Sequence, residues 1–246
     1  MGMRLIRYLA IAGVASRRKS EAVIRRGQVE VNGETERDPF RILSASDSVA
    51  VNGETISIPS ERTVLLLHKP AGVVTTVRDT HGRKTVMDLI PATDRRLFPV
   101  GRLDKDTTGI LLLTDDGDLA YRLTHPKFEI EKIYEVAIDR RLTKAEKVSI
   151  VSGINIGEGE IGHAEVVGQE TDAGDVKITL KLHHGKKREV RRILKAVGVQ
   201  VKQLHRSVFA GISLGDLKAG EFRFLTGNEA PFLERIINHI PSSPDG

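Results

Sequence analysis

The chain has 246 residues, 39% of them hydrophobic and 29% charged, and a formal net charge of +5 at pH 7. That composition is typical of a soluble globular protein, and the length suffices for one large domain or two modest ones. The chain contains no cysteine, which excludes disulfides, zinc thiolate sites and cysteine nucleophiles, and no apolar run long enough to cross a bilayer. We therefore expect a protein of the reducing cytoplasm that has no membrane partner.

The first 60 residues are predicted to form a small domain of helices and hairpins. Apolar side chains recur at helical spacing over residues 5–12, and Ser16 is placed to cap a second helix that Gly27 ends. Residues 28–33 and 49–53 each end in Asn-Gly after a valine-rich stretch. That pattern is typical of a strand that enters a hairpin turn.

A second domain is predicted from residue 61 to residue 240, after a linker around Pro59, and a flexible tail follows at residues 241–246. Its predicted strands cover residues 64–67, 109–114, 132–138, 175–182 and 221–225, and its predicted helices cover residues 118–123, 143–151, 189–197 and 231–240. Strands and helices interleave irregularly, without the steady alternation of a parallel sheet. The order therefore predicts an α+β fold in which helices flank a bent, largely antiparallel mixed sheet.

Basic residues are concentrated in two separate parts of the chain. Residues 3–30 contain seven basic and two acidic side chains, and residues 181–206 contain nine basic side chains and one acidic side chain. Two solvated helix faces are one explanation for this distribution. Because the clusters are dense and of one sign, we favour a surface that binds the phosphates of a nucleic acid.

Two apparent motifs fail when their context is considered. Residues 157–162 spell G-x-G-x-x-G, but no long strand precedes them and no helix follows, so we predict a loop between two strands. Residues 104–115 partly match a calcium-binding loop. The last position is Asp115 instead of the bidentate glutamate, and Leu112 occupies the ninth position and offers no side-chain ligand. No metal site is therefore predicted.

The segment around Asp104 has a composition that suits a catalytic site. Gly101 and Gly109 bound a polar turn that contains the carboxylate, and an apolar run at residues 110–113 follows. A carboxylate in such a turn is mobile enough to approach a substrate and is anchored to a buried strand. The alternative is an ordinary polar turn with a side-chain cap, and the spacing alone leaves both open.

This turn and its surroundings resemble the RsuA/RluB family of ribosomal RNA pseudouridine synthases. The central motif of that family matches Gly101-Arg102-Leu103-Asp104 with Thr107, Gly109 and the leucines that follow. Further matches, in the order of the family, are His68-Lys69-Pro70-x-Gly72, Thr114-Asp115-Asp116-Gly117, Leu119-Ala120, His125-Pro126, Lys132-x-Tyr134 and residues 185–192. Several independent motifs in one order are far more specific than any single motif.

The resemblance also covers the N-terminal segment. Residues 4–33 are similar to the S4 RNA-binding module of this family, and His125-Pro126 and residues 188–192 are most similar to the group of ribosomal large subunit pseudouridine synthases B. An S4-like domain over residues 1–60 and a catalytic domain over residues 61–240 are therefore implied. The implied substrate is 23S rRNA, at a uridine near the peptidyl transferase centre.

The resemblance implies a role for three side chains. Asp104 is expected to be the catalytic carboxylate, and attack on the ribose and removal of a ribose proton both stay open. Arg191 is expected to pair with Asp104, since a forked guanidinium suits a carboxylate, and the alternative is a phosphate contact. Tyr134 is expected to stack on a flipped-out base, and the alternative is a half-buried strand residue. The isomerisation needs no redox change or group donor, so no cofactor is expected.

Ten further cations are expected to bind RNA. They are Arg4, Arg17, Arg18, Lys19, Arg25, Lys69, Arg102, Lys186, Arg188 and Arg192. The expected partner is ribosomal RNA or a pre-ribosomal particle, and we expect the enzyme to be a monomer. The alternatives are a synthase that acts on 16S rRNA, a non-catalytic assembly factor of the S4 type, and a calcium-binding regulator.

Overall fold

The computed structural model describes residues 2–59, 61–93, 95–172 and 175–225, together with residues 229 and 233. The chain divides into two compact units, and unit 1 comprises Met1–Thr63, Thr93–Leu97 and Asp115–Gly117. Unit 2 contains the rest. Apart from Leu233, the helix predicted at residues 231–240 and the tail at residues 241–246 lie outside the described part. No helix in that part has the length and apolar character that a bilayer crossing requires.

Unit 1 combines helices with a small antiparallel sheet. Its elements are β1 (Met3–Arg4), α1 (Leu5–Ile11), α2 (Arg17–Arg25), β2 (Val29–Val31), β3 (Glu34–Glu36), β4 (Ile42–Leu43), β5 (Val49–Val51) and β6 (Glu54–Ile56). The sheet has the strand order β3-β2-β5-β6, and β1 pairs separately with β4. The two Asn-Gly turns connect β2 to β3 and β5 to β6, which confirms the predicted hairpins.

The helices of unit 1 begin and end as predicted. Ser16 precedes α2, and its hydroxyl accepts a hydrogen bond from the backbone N–H of Lys19 at 3.4 Å. Gly27 follows the helix with φ +73°, a conformation that glycine adopts without strain. Leu5 of α1 and Ile24 of α2 are fully buried in one hydrophobic cluster with residues of β2 and β5.

Unit 2 is built around one large sheet. Its elements are β7 (Val64–Lys69), β8 (Phe98–Pro99), β9 (Thr108–Thr114), α3 (Gly117–Thr124, which begins in unit 1), β10 (Lys132–Ile138), α4 (Lys144–Ser152), β11 (Ile154–Asn155), β12 (Ile161–Gly162), β13 (Glu165–Asp172), β14 (Asp175–Leu182), α5 (Glu189–Ala196), β15 (Val201–Phe209), β16 (Ile212–Ser213) and β17 (Phe222–Phe224).

The sheet is mixed, and nearly all of its pairings are antiparallel. Its strand order is β13-β14-β10-β15-β9-β7-β17, with β16 added to β15 and β8 added to β9. Among the described pairings of this sheet, only the one between β15 and β9 is parallel. The predicted α+β fold with a largely antiparallel sheet is therefore confirmed.

Two hydrophobic cores hold the helices against this sheet. Ile193 and Leu194 of α5 are fully buried in a cluster with residues of β10 and β14. Leu119 and Leu123 of α3 are buried in a second cluster with residues of β7 and β9. The apolar runs predicted as buried strands became β7 and β9, which pair with each other.

The sequence did not reveal two of the long strands. Strand β15 lies at the centre of the sheet, between β10 and β9, but His205 and Arg206 interrupt its apolar pattern. Strand β13 contains few apolar residues because it is an edge strand. The G-x-G-x-x-G sequence forms the turn and second strand of the β11–β12 hairpin, so the predicted loop between strands is confirmed.

Gly109 is required where β9 meets β15. Its φ is +113°, and a Cβ atom at this position would lie 2.2 Å from the carbonyl oxygen of Arg206. Such a distance is far below van der Waals contact. The atom that the Cβ would meet is a backbone oxygen, so no side chain can move to relieve the clash. Only glycine allows the two strands to approach this closely.

We predict that Gly109→Ala lowers the free energy of unfolding by roughly 2–4 kcal/mol, because the clash and the positive φ act together. Gly117→Ala is the matched control, since no heavy atom lies within 4 Å of the added Cβ and the φ of Gly117 is not positive. Its effect should stay within about 0.5 kcal/mol. Equilibrium urea unfolding measures both, and equal losses would contradict the proposed clash.

Candidate active site

The turn that carries Asp104 is held by hydrogen bonds from neighbouring segments. The Thr75 hydroxyl donates to the Leu103 carbonyl oxygen at 2.8 Å, and the Gly72 N–H donates to the Lys105 carbonyl oxygen at 2.9 Å. Within the turn, the Thr107 N–H donates to the carbonyl oxygen of Asp104 at 3.1 Å. The Asp104 side chain remains 31% exposed, so a fixed backbone presents an accessible carboxylate.

Lys69 supports this turn from inside the protein. The residue is fully buried, and its ammonium group donates to the carbonyl oxygens of Pro70, Lys105 and Thr107 at 3.0, 3.2 and 2.8 Å. Burial lowers the pKa of Lys69 to about 8, although the charges of Asp106 and Asp104 oppose this shift. The prediction that Lys69 contacts RNA is therefore wrong, because its cation is enclosed and bonded to backbone.

Two arginines approach the Asp104 carboxylate from the segment at the start of α5. An Nη1 of Arg188 lies 3.2 Å from Oδ2 of Asp104, and Nε of Arg191 lies 4.0 Å from the same oxygen. Arg188 is more exposed than Arg191, with 46% of its side chain accessible against 18%. Arg191 therefore lies near Asp104, as predicted, but at a distance longer than a hydrogen bond. Arg188 is the arginine that donates a hydrogen bond to the Asp104 carboxylate.

Arg192 faces the β11–β12 hairpin, away from this pair. Its Nε and Nη2 donate to the carbonyl oxygens of Ile156 and Gly157, both at 2.8 Å, and its Nη1 binds the carboxylate of Glu160. The Lys186 ammonium also donates to a hairpin carbonyl, that of Ile161. The RNA contact expected of Arg192 stays a prediction, and in this structure its guanidinium ties α5 to the hairpin.

A cavity of about 170 Å³ adjoins the Asp104 turn. Asp104, Tyr134 and Arg188 line it together, as do the predicted RNA-binding residues Arg102 and Lys186. Tyr134 reaches the cavity from β10 and is half-buried. The structure therefore brings a carboxylate, a guanidinium and an aromatic ring to one concave site, which is the arrangement expected for a small-molecule or single-base site.

The cavity also contains charged residues to which the sequence assigned no individual role. Arg206, Lys132 and Glu189 all line it, and they are 3%, 8% and 4% exposed. Burial lowers the pKa of Lys132 to about 8; the charge of Arg206 lowers it further, and that of Glu189 opposes the shift. Burial also lowers the pKa of Arg206, while Tyr134 raises it.

One signal in the sequence could have identified Arg206. Leu204 and Arg206 occupy alternate positions of β15 and both are buried, so the arginine stands where an apolar residue is expected. A charge on the buried face of a strand is uncommon and indicates a function or a partner.

The basic residues of unit 1 remain open to solvent. Arg17, Arg18 and Lys19 form the first turn of α2 and are exposed. Arg4 is exposed beside the ring of Phe40, with its guanidinium carbon 5.7 Å from the ring centre. Arg25 is also exposed but pairs with Glu21 at 2.9 Å. These positions leave several cations of α2 available to phosphate groups.

Comparison with known proteins identifies both parts of the chain. Residues 63–196 match the family model described as RNA pseudouridylate synthase, and residues 3–49 match the S4 domain. The ribosomal large subunit pseudouridine synthase B of Bacillus subtilis is 37% identical over 238 residues, which cover 96% of this chain and 97% of that protein.

Two further relatives span the chain almost completely. An uncharacterized RNA pseudouridine synthase of Aquifex aeolicus is 35% identical over 239 residues, with 96% of both chains covered. A crystal structure of a pseudouridylate synthase is 29% identical and matches with a TM-score of 0.65, covering 94% of this chain and 99% of that one.

Replacing each of the two arginines beside Asp104 by lysine is expected to have different effects on the single-turnover rate and on the RNA affinity. Arg191→Lys should lower the single-turnover rate roughly tenfold or more, because lysine keeps the charge but loses the forked geometry that a carboxylate prefers. RNA affinity should change by no more than a few fold, since Arg191 is largely buried and does not line the cavity. Arg188→Lys should lower both rate and affinity.

Rates at saturating RNA and equilibrium binding isotherms measure the two effects separately. Lys187→Gln is the control, because Lys187 is an exposed cation of the same segment and should alter affinity alone. If Arg191→Lys weakens binding while its saturated rate equals that of the wild type, Arg191 is a phosphate contact.

Proposed function

This chain belongs to the family of RNA pseudouridylate synthases, and we propose that it converts one uridine of 23S ribosomal RNA to pseudouridine. The choice of ribosomal RNA is supported by the relative named as a large subunit synthase, which is similar over 97% of its own length. The basic residues of an S4 domain supply a surface suited to a structured RNA.

One observation carries the proposed chemistry: Asp104, Tyr134 and Arg188 line the same cavity. Pseudouridylation breaks the bond between ribose C1′ and uracil N1, turns the base and forms a bond between C1′ and C5. An accessible carboxylate is needed at the ribose and a flat surface at the base. The site supplies both from one rigid sheet and the turn attached to it.

We assign Asp104 the role of catalytic carboxylate. In one route its oxygen attacks C1′ as the bond to N1 breaks, and in the other it removes a ribose proton. Both routes require a carboxylate held in one orientation, and the contacts with Arg188 and Arg191 supply that orientation. Tyr134 is assigned to stacking on the base, which must leave its helix to reach the cavity.

The two units are assigned different tasks. The N-terminal domain, placed at residues 1–60, anchors the RNA through the cations of α2, and the domain at residues 61–240 performs the reaction. Unit 1 also contains residues 93–97 and 115–117, so point substitutions separate the two tasks more cleanly than a truncation after residue 60. The substrate itself is identified by mapping pseudouridines in 16S and 23S rRNA from cells with and without this protein.

We predict that Asp104→Asn abolishes product formation, because an amide can neither attack the ribose nor remove its proton. RNA affinity should remain close to that of the wild type. The control is Asp106→Asn, which changes an exposed carboxylate of the same turn and should keep most of the activity. Measurable turnover by Asp104→Asn, in protein purified from cells lacking related synthases, would refute the assignment.

The S4 domain is tested by replacing Arg17, Arg18 and Lys19 with glutamine. Log affinity falls with log salt, and each phosphate contact that is lost makes this slope less steep by about one unit. The three substitutions should therefore make it less steep by up to about three units. The saturated single-turnover rate should change far less than the affinity, because these residues lie in unit 1 and the cavity lies in unit 2. Binding isotherms at several salt concentrations measure the slope, and an unchanged slope would exclude α2 as the anchor.

A further inference from the structure

Arg206 is a buried cation at the cavity without a carboxylate partner. It is 3% exposed, and its Nε and Nη2 donate to the same backbone oxygen, that of Ile110, at 3.0 and 2.8 Å. Its guanidinium carbon lies 4.4 Å from the centre of the Phe209 ring. Within the described part of the chain, no carboxylate oxygen lies within 4.0 Å of its nitrogens.

A second buried cation lies beside the same ring. The Lys132 ammonium lies 5.9 Å from the centre of the Phe209 ring and donates to the carbonyl oxygens of Ile130 and His183 at 2.7 and 3.3 Å. Glu189 is the buried carboxylate near it. The buried lining of the cavity therefore contains two cations and one anion, an excess of positive charge that is removed from water.

Such an arrangement is unfavourable for the folded protein unless a negative charge meets it. A buried guanidinium without an ionic partner loses hydration that neutral hydrogen bonds do not fully replace, and arginine cannot relieve this by losing its proton. If Arg206 served only to join β15 to β9 through the carbonyl oxygen of Ile110, an uncharged hydrogen-bond donor would be sufficient. The charge itself therefore requires an explanation, and the cavity offers a place where a negative charge can meet it.

The proposed reaction creates a negative charge in this cavity. When the C1′–N1 bond breaks, both electrons remain on uracil, and the resulting anion is delocalised over N1, O2 and O4. C1′ is bonded meanwhile to the Asp104 oxygen or joined to C2′ by a double bond, depending on the route. C5 then bonds to C1′, which consumes the anion; in the first route the bond between C1′ and the Asp104 oxygen breaks, and in the second C2′ regains its proton from Asp104. The C5 proton leaves and N1 gains a proton.

We propose that Arg206, with Lys132 beside it, is a catalytic residue that stabilises the uracil anion. This role rests on the proposed function. Arg206 and Tyr134 are paired across β15 and β10, so the cation lies next to the ring assigned to stacking on the base. A fixed charge in a site shielded from water stabilises a developing charge far more than an exposed one would.

The test compares two bases that differ in the stability of their anions. Full-length protein is given a 23S transcript made with uridine or the same transcript made with 5-fluorouridine, at saturating RNA. Fluorine withdraws electrons, so the 5-fluorouracil anion depends less on a positive charge of the protein. The readout is the single-turnover rate at which the target nucleoside disappears, measured by isolating the RNA fragment that contains the target and separating its nucleosides by chromatography, because an isomer has the mass of its parent.

Arg206→Met should slow the reaction of the uridine transcript by about 100- to 1000-fold, the effect typical of removing one electrostatic contact to a developing charge. The reaction of the fluorinated transcript should be slowed at least tenfold less. Arg206→Lys should recover part of the uridine rate. Arg223→Met is the matched control, because Arg223 is paired with Glu229 and does not line the cavity; it should change neither rate.

Thermal unfolding establishes that each variant is folded before its rates are compared. If Arg206→Met does not fold, Lys132→Met and Arg206→Lys are compared on the same two transcripts, and each should show the smaller loss on the fluorinated one. An equal loss on both transcripts would overturn the role of Arg206 as a charge stabiliser. The wild-type rate on uridine tests the proposed function separately, so the two failures are distinguishable.

Discussion

The close approach of the Gly109 and Arg206 backbones is the constraint on which the site of unit 2 depends. The parallel step between β9 and β15 joins β7, β9 and β17 to β10, β13 and β14 in one sheet. The Asp104 turn runs directly into β9, and Tyr134 lies on β10 on the other side of β15. A side chain at position 109 would separate the strands, and with them the carboxylate and the aromatic ring.

The described interior of unit 2 buries three cations, Lys69, Lys132 and Arg206, beside the carboxylate of Glu189. Lys69 and Lys132 are buried with backbone carbonyl oxygens as hydrogen-bond acceptors, and Arg206 binds the carbonyl oxygen of Ile110. Carbonyl groups neutralise such cations only in part, because they carry dipoles and no net charge. The lining of the cavity therefore contains more cations than carboxylates, which suits the phosphate backbone of RNA and the uracil anion that we propose.

Much of the fold and part of the site follow from patterns in the sequence. The apolar runs that became β7 and β9, the capping serine of α2 and the Asn-Gly turns are local features, and all of them have the predicted structure. Strand β15 was missed because His205 and Arg206 interrupt its hydrophobic pattern. The feature that hid the strand is the same one that makes it part of the site.

By itself the sequence determined an S4-like module followed by an α+β domain, and the turn in which Asp104 stands, because these depend on neighbours along the chain. Only the tertiary structure decided which cations are buried, which are exposed and which contact Asp104. Arg188 and Asp104 are separated by 84 residues, and no local pattern specifies their contact. The same holds for Lys69, which is enclosed, and for Arg206, which reaches the cavity. Basic residues look alike in a sequence, and burial and partners, which arise from distant segments, distinguish them.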